Sequence, residues 1–102
     1  MKVGIVTGGN RGIGYEIVRG LLLSGEFTDI YLTSRNETDG IEAVKTLTEE
    51  TKVENVLKFF QLDLTDLSSM QKFINHLDKN HKGGYDVLVQ NAAIAFKTRS
   101  LV

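Results

Sequence analysis

Thr7-Gly8-Gly9-Asn10-Arg11-Gly12-Ile13-Gly14 is the stretch whose reading decides the fold. It follows an apolar run, Val3 to Val6, and precedes an amphipathic run, Ile13 to Leu23. A strand, a glycine-rich turn and a helix in that order are the context in which such a fingerprint reads as a dinucleotide site. Each glycine has an expected task. Gly8 lets the chain turn sharply off the strand, Gly12 removes a Cβ that would block a pyrophosphate, and Gly14 lets the helix pack tightly on the sheet. The helix N-terminus adds free N–H groups and a partial positive charge of about half an electron. Arg11 adds a full charge on the same loop. A P-loop is excluded, because no Gly-Lys-Ser/Thr follows. The competing reading is a tight turn in which glycine is purely structural.

Outward from this stretch, apolar runs alternate with helical periods. Lys2 to Thr7 is apolar without strict alternation, as a parallel strand covered on both faces should be. The first helix carries Ile13, Ile17, Leu21, Val18 and Leu22 on one broad face, with Tyr15, Glu16 and Arg19 expected in solvent. Gly25 suits its C′ position. Asp29 to Thr33 is β-branched and aromatic and predicts the second strand. A second helix is expected from about Thr38 to Thr51, with Ile41, Val44 and Leu47 inward. Asn55 to Leu62 predicts strand three, and Asp66 or Thr65 the N-cap of helix three. That helix carries Leu67, Met70, Phe73, Ile74 and Leu77 as its buried stripe. Asp86 to Gln90 is the fourth strand. Right-handed crossovers turn these units into a Rossmann-like α/β fold, a partial doubly wound parallel sheet of order 3-2-1-4 with three helices. Ligands of such sheets bind at the carboxyl ends of the strands, here loops 7–14, 33–36, 62–66 and 90–94.

Composition narrows the function classes. The chain has 102 residues, 41% apolar and 25% charged, enough for one small domain. A net charge of −1 gives no reason to expect nucleic acid or an anionic membrane surface as partner. Cysteine is absent, which removes disulfides, a thiolate nucleophile and cysteine-ligated zinc, and suits a cytoplasmic setting. No apolar run approaches the roughly 20 residues that cross a bilayer. Nothing precedes the first strand that reads as a signal peptide.

NAD sites usually place a carboxylate at the end of strand two, about 20 residues past the glycines, for the ribose 2′-OH. Here that region reads Thr33-Ser34-Arg35-Asn36, with an arginine instead. Arg11 and Arg35 suit a 2′-phosphate, to which a guanidinium offers paired charge-assisted hydrogen bonds. The expectation is therefore NADP(H) rather than NAD(H). Two ordinary solvated arginines are the plain alternative, and another adenosine ligand such as a methyl donor is a weaker one.

Four motifs in order, Thr-Gly-Gly-Asn-Arg-Gly-Ile-Gly at 7–14, Leu-Thr-Ser-Arg at 32–35, Gln-Leu-Asp-Leu at 61–64 and Asp-Val-Leu-Val-Gln-Asn-Ala-Ala-Ile-Ala-Phe-Lys at 86–97, carry a resemblance. The chain resembles the N-terminal part of short-chain dehydrogenases/reductases, and within them the NADPH-dependent carbonyl reductases. The resemblance covers residues 2–97, so 1–97 is expected to be an NADP-binding Rossmann half-domain and 98–102 a divergent tail. It implies Gly8, Gly12, Ile13 and Gly14 at the pyrophosphate, and Asn10 and Arg11 near the adenosine ribose and its phosphate. It implies Arg35 on the 2′-phosphate, Asp63 on the adenine amino group, Leu64 against the ring, and Asn91, Ala92 and Ala93 beneath the cofactor. Asp63 reads equally well as a helix-capping acid. Gln90 and Ala93 depart from the family's usual Asn-Asn-Ala-Gly.

The family's reaction is reduction of ketones, aldehydes and quinones by NADPH, and its Ser and Tyr-x-x-x-Lys fall in a second half that has no counterpart here. Tyr15, Tyr31 and Tyr85 are followed four residues on by Arg19, Arg35 and Val89, never by lysine. His76 and His81 are expected in solvent. No catalytic and no metal-ligating residue is therefore assigned. The expectation is a truncated cofactor half that binds NADP(H) and meets a carbonyl substrate only if a catalytic half is present. A non-catalytic interaction module on the same fold is the alternative. Homo-oligomerisation is expected, with strand four, left as an edge, the tail 95–102, or both at the interface.

Overall fold

Along residues 2–90, which the computed structural model describes, strands and helices alternate. The strands are β1 (Val3–Thr7), β2 (Asp29–Ser34), β3 (Leu57–Gln61) and β4 (Val87–Gln90). The helices are α1 (Gly12–Ser24), α2 (Glu37–Thr51) and α3 (Leu67–Asn80). The strands pair in parallel in the order β3-β2-β1-β4, as expected. Asn91, Ala92, Ala93, the 95–102 stretch and the 98–102 tail lie outside the described residues.

Strand alternation divides the core between two faces. Val6, Ile30, Leu32 and Leu57 pack with Val18 and Leu22 of α1 and Ala43 and Leu47 of α2. Val3, Ile5 and Tyr31 pack with Leu62 and Phe73 of α3 on the other face. Two helices cover one face and one helix the other, which follows when the order reverses after β3 and every crossover is right-handed. Side chains as fully buried as Leu32 and Leu47 stabilise by about 1.5–3 kcal/mol each.

The helical stripes are narrower than their periodicity suggests. In α1 the ridge Gly14, Val18, Leu22 is buried, while Ile13 is 73% exposed. Tyr15, expected in solvent, is half-buried against the core, with the Arg19 guanidinium 5.2 Å from its ring centroid. Ile41 is also exposed, because α2 presents Gly40, Ala43 and Leu47 instead. Leu67 and Ile74 of α3 are exposed, since its sheet-facing ridge is made by Phe73 with half-buried Met70, His76 and Leu77. α3, alone on its face, buries one ridge, and Leu67 and Ile74 beside that ridge find no second helix. Strand three is shorter than its apolar run, because Asn55 adopts a left-handed φ of 64° just before it.

Polar detail sets the element ends. Asn36 Oδ1 accepts the Asp39 N–H and caps α2, with Glu37 and Asp39 in the first turn to match the helix dipole. Glu50, unfavourable near the C-terminus of α2, is held by Arg19 of α1. Asp86 fastens β4 to the start of β1: its carboxylate accepts the Val3 N–H at 2.7 Å and its N–H donates to Val3 O at 2.8 Å.

The two histidines correct the expectation of solvent. His81 is buried, and its Nε2 lies 2.7 Å from Tyr31 Oη; His76 Nε2 lies 3.0 Å from the same oxygen. The Asn80 amide donates toward His76 Nδ1, so His76 donates through Nε2 to Tyr31, which donates to His81. Both rings stand edge-on to Tyr31, and His76 also meets Phe60. Position 76 lies three residues past Phe73, on the buried ridge, and that spacing was the available signal.

Two outcomes follow from this packing. A Cβ on Gly40 would lie 2.0 Å from Phe59 Cε1. Gly40→Ala should therefore destabilise the fold by about 1–3 kcal/mol, as overpacking does, read from the midpoint of urea unfolding; an unchanged midpoint contradicts the packing. Burial, with the charges of His81 and Lys79, lowers the His76 pKa below its ordinary 6.5. The unfolded chain then binds the proton more readily, so this contribution is complete above pH 6.5 and is lost as pH falls through the folded value. Stability should drop between pH 7.5 and pH 5.5, and His76→Gln should flatten that drop; equal slopes for the two proteins would contradict it. The carboxylates of Asp29 and Asp63, also lowered, act in a separate window below their ordinary 3.8.

Candidate functional site

The loop after β1 is shaped by its glycines. Gly8 and Gly12 both adopt φ of 64°, the left-handed region that side chains resist. A Cβ built on Gly12 meets nothing within 4 Å, so the space above the loop is open to a ligand. Gly14 is buried in α1, as expected. Gly9, to which the sequence reading assigned no role, makes the closest approach. Its N–H donates to Thr33 O at 3.2 Å, and a Cβ there would lie 3.0 Å from Leu32 Cγ and 3.2 Å from Val18 Cγ2. Gly9 thus ties the loop onto β2 beneath α1; that both neighbours are core residues was the signal available.

Arg11 is the N-cap residue of α1 with extended backbone, and its side chain makes no capping bond. The first turn of α1 contains no acidic residue. Its N–H groups and dipole therefore face no negative side chain of their own, which suits an anion. Asn10 is half-buried and Ile13 exposed beside this turn.

At the ends of β2 and β3 an open cleft of about 450 Å³ is lined by Arg35, Glu37, Phe59, Phe60, Gln61, Asp63, Asp66, Ser68, Ser69 and Lys72. Arg35 and Asp63, 28 residues apart in the sequence, come together here. Asp63 Oδ1 accepts the Thr65 hydroxyl at 2.6 Å and the Thr65 N–H at 2.9 Å. Those bonds, with the charge of Arg35, hold its carboxyl below the usual carboxylate range, so it stays ionised. Both bonds fall on Oδ1, which leaves Oδ2 to accept from a ligand. Its backbone N–H donates to Ser69 Oγ at 2.9 Å. Asp66, not Asp63, is the N-cap of α3, accepting the Ser68 N–H at 2.9 Å. Leu64 is 44% exposed beside the cleft without lining it.

Among the described residues neither Arg11 nor Arg35 takes part in an ion pair. Both are exposed, on separate loops at the carboxyl edge of the sheet. The glycine turn and the cleft thus lie at the ends of neighbouring strands. Among the described residues no three His, Cys, Asp or Glu side chains gather as a metal site, and no helix is long and apolar enough to cross a membrane.

Parallel order 3-2-1-4, a left-handed glycine turn into α1 and a polar cleft at the strand ends define a Rossmann-type α/β protein. The chain belongs to the short-chain dehydrogenase family, whose profile matches residues 2–101. Carbonyl reductase (NADPH) 1 of Homo sapiens is 48% identical over 99 residues, covering 95% of this chain and 33% of that protein. (+)-Neomenthol dehydrogenase of Capsicum annuum is 44% identical over 96 residues, covering 92% and 29%. Menthone neomenthol reductase from Mentha piperita superposes with a TM-score of 0.80 at 35% identity, covering 88% of this chain and 31% of that one. L-Sorbose reductase from Gluconobacter frateurii, solved with NADPH and L-sorbose, superposes with a TM-score of 0.73 at 28% identity, covering 88% and 32%. The chain spans about a third of the length of these relatives.

Proposed function

We propose that this chain is the NADP(H)-binding part of a carbonyl reductase-like oxidoreductase. Gly8, Gly12, Ile13 and Gly14 would receive the pyrophosphate at the start of α1, with Asn10 and Arg11 beside the adenosine ribose. Arg35 would take the 2′-phosphate, Asp63 Oδ2 the adenine amino group, and Leu64 the ring edge. Asn91, Ala92 and Ala93 would lie beneath the cofactor. The bound cofactor supplies a hydride for a ketone, aldehyde or quinone. What this chain's own residues do is bind, orient and discriminate. The observation that carries the reading is Arg35 beside an ionised Asp63 in one cleft, with no carboxylate at the end of β2 to repel a 2′-phosphate. The relatives named for NADPH support it. A Ser and Tyr-x-x-x-Lys set is absent from the sequence, so the 102 residues alone have no proton donor for carbonyl reduction. A cytoplasmic setting accords with the cysteine-free composition.

Titration with NADPH, NADH and S-adenosylmethionine separates this reading from another adenosine ligand and from a binding module without a cofactor. NADPH should bind most tightly. Arg35→Ala should weaken NADPH by about 1.5–3 kcal/mol, as loss of a hydrogen bond to a charged group does, and leave NADH nearly unchanged. Equal losses overturn the assignment. The same preparation should consume no NADPH with a quinone above the protein-free rate.

A second copy of this chain is the proposed partner. Among the described residues β4 pairs on one side only, with β1. Leu88 of β4 is itself exposed on this strand. Unpaired edges of this kind recruit another strand. Light scattering at micromolar concentration should give the mass of a dimer or larger species; a monodisperse monomer overturns the assembly.

A further inference from the structure

The turn between β2 and α2 must hold Arg35 still if its guanidinium is to select one cofactor over another. Four successive carbonyls, from the end of β2 into that turn, are engaged. Thr33 O accepts the Gly9 N–H at 3.2 Å, Ser34 O the Leu62 N–H at 3.0 Å, and Asn36 O the Gly40 N–H at 3.0 Å. Each of those donors is a backbone group, which no side-chain substitution removes. Asn36 O also accepts the Ser34 hydroxyl, at 2.6 Å; Arg35 O differs in that, among the described residues, no backbone N–H reaches it. It accepts from a side chain, Nε2 of Gln61, at 3.2 Å. Gln61 is the last residue of β3 and lies in register with Ser34.

We propose that Gln61 is a positioning residue for Arg35, and so sets how strongly the site prefers NADPH to NADH. The inference rests on the reading that Arg35 receives the 2′-phosphate. Gln61 and Arg35 line the same cleft, yet the bond between them runs to the backbone, so the guanidinium remains available to the ligand. Without the amide, the Arg35 carbonyl returns to water and the peptide that carries the side chain gains freedom. Ordering it again on binding then costs affinity for the one cofactor that Arg35 contacts. Gln61 is exposed, so global stability depends little on this bond.

Calorimetric titration of Gln61→Met tests it, because methionine matches the length of glutamine and offers no N–H. NADPH should bind about 3- to 10-fold more weakly, the range set by one neutral hydrogen bond, while NADH changes by less than about twofold. In an Arg35→Ala background the same substitution should cost NADPH nothing further, since two residues acting through one contact are not additive. The unfolding midpoint should stay in place. Equal losses for both cofactors would show that Gln61 touches the shared part of the nucleotide, and additive losses that it acts independently of Arg35; either overturns the proposal. If Gln61→Met is neutral while Arg35→Ala loses NADPH selectively, only the role of Gln61 falls. If Arg35→Ala loses nothing, the 2′-phosphate assignment falls, and the role of Gln61 with it.

Discussion

β1 is the constraint from which the rest of the molecule follows. Its five residues are all buried, with β2 hydrogen-bonded on one side and β4 on the other. A strand sealed in this way has no solvent to satisfy its backbone, so both neighbours and both covering layers must be supplied by the chain. It must also be left without delay at Thr7, where the sheet ends. The left-handed turn at Gly8 and the bond from Gly9 to Thr33 achieve that exit. The open space over Gly12 is the consequence. What reads as a ligand feature is at the same time the means by which a fully buried strand reaches the surface.

The ends of the sheet have different characters. At the carboxyl end the loops carry Arg11, Arg35 and Asp63, exposed or half-buried, with polar partners that position them without consuming them. At the opposite end, side chains close on one another. Asp86 clasps Val3, and Tyr31 bridges His76 and His81. The second arrangement spends most of its donors and acceptors internally, with His81 Nδ1 left buried and unpartnered, which suits structure rather than recognition.

The two faces of the sheet are also unequal. α1 and α2 share one face, whereas α3 covers the other alone. Apolar side chains remain exposed on α3, at Leu67 and Ile74, and on β4 at Leu88. The relatives are about three times as long as this chain.

Sequence by itself determined the order of elements, the parallel sheet and the family, because these rest on local signals: β-branched runs, glycine spacing and helical periods. Asp66 as a cap and Gly25 as a helix stop were legible for the same reason. Arg35 and Asp63 could be named singly, since each falls at a strand end. Tertiary structure alone decided which residues find a partner, and so exposed Ile13, Ile41, Leu67 and Ile74 while half-burying Tyr15 and burying His81. It alone showed Gly9 and Gly40 as points of close approach, and brought Gln61 to the carbonyl of Arg35. Periodicity states which side of a helix is apolar, but not how wide a surface stands opposite to receive it. That width depends on how many layers pack there, and no local stretch of sequence encodes it.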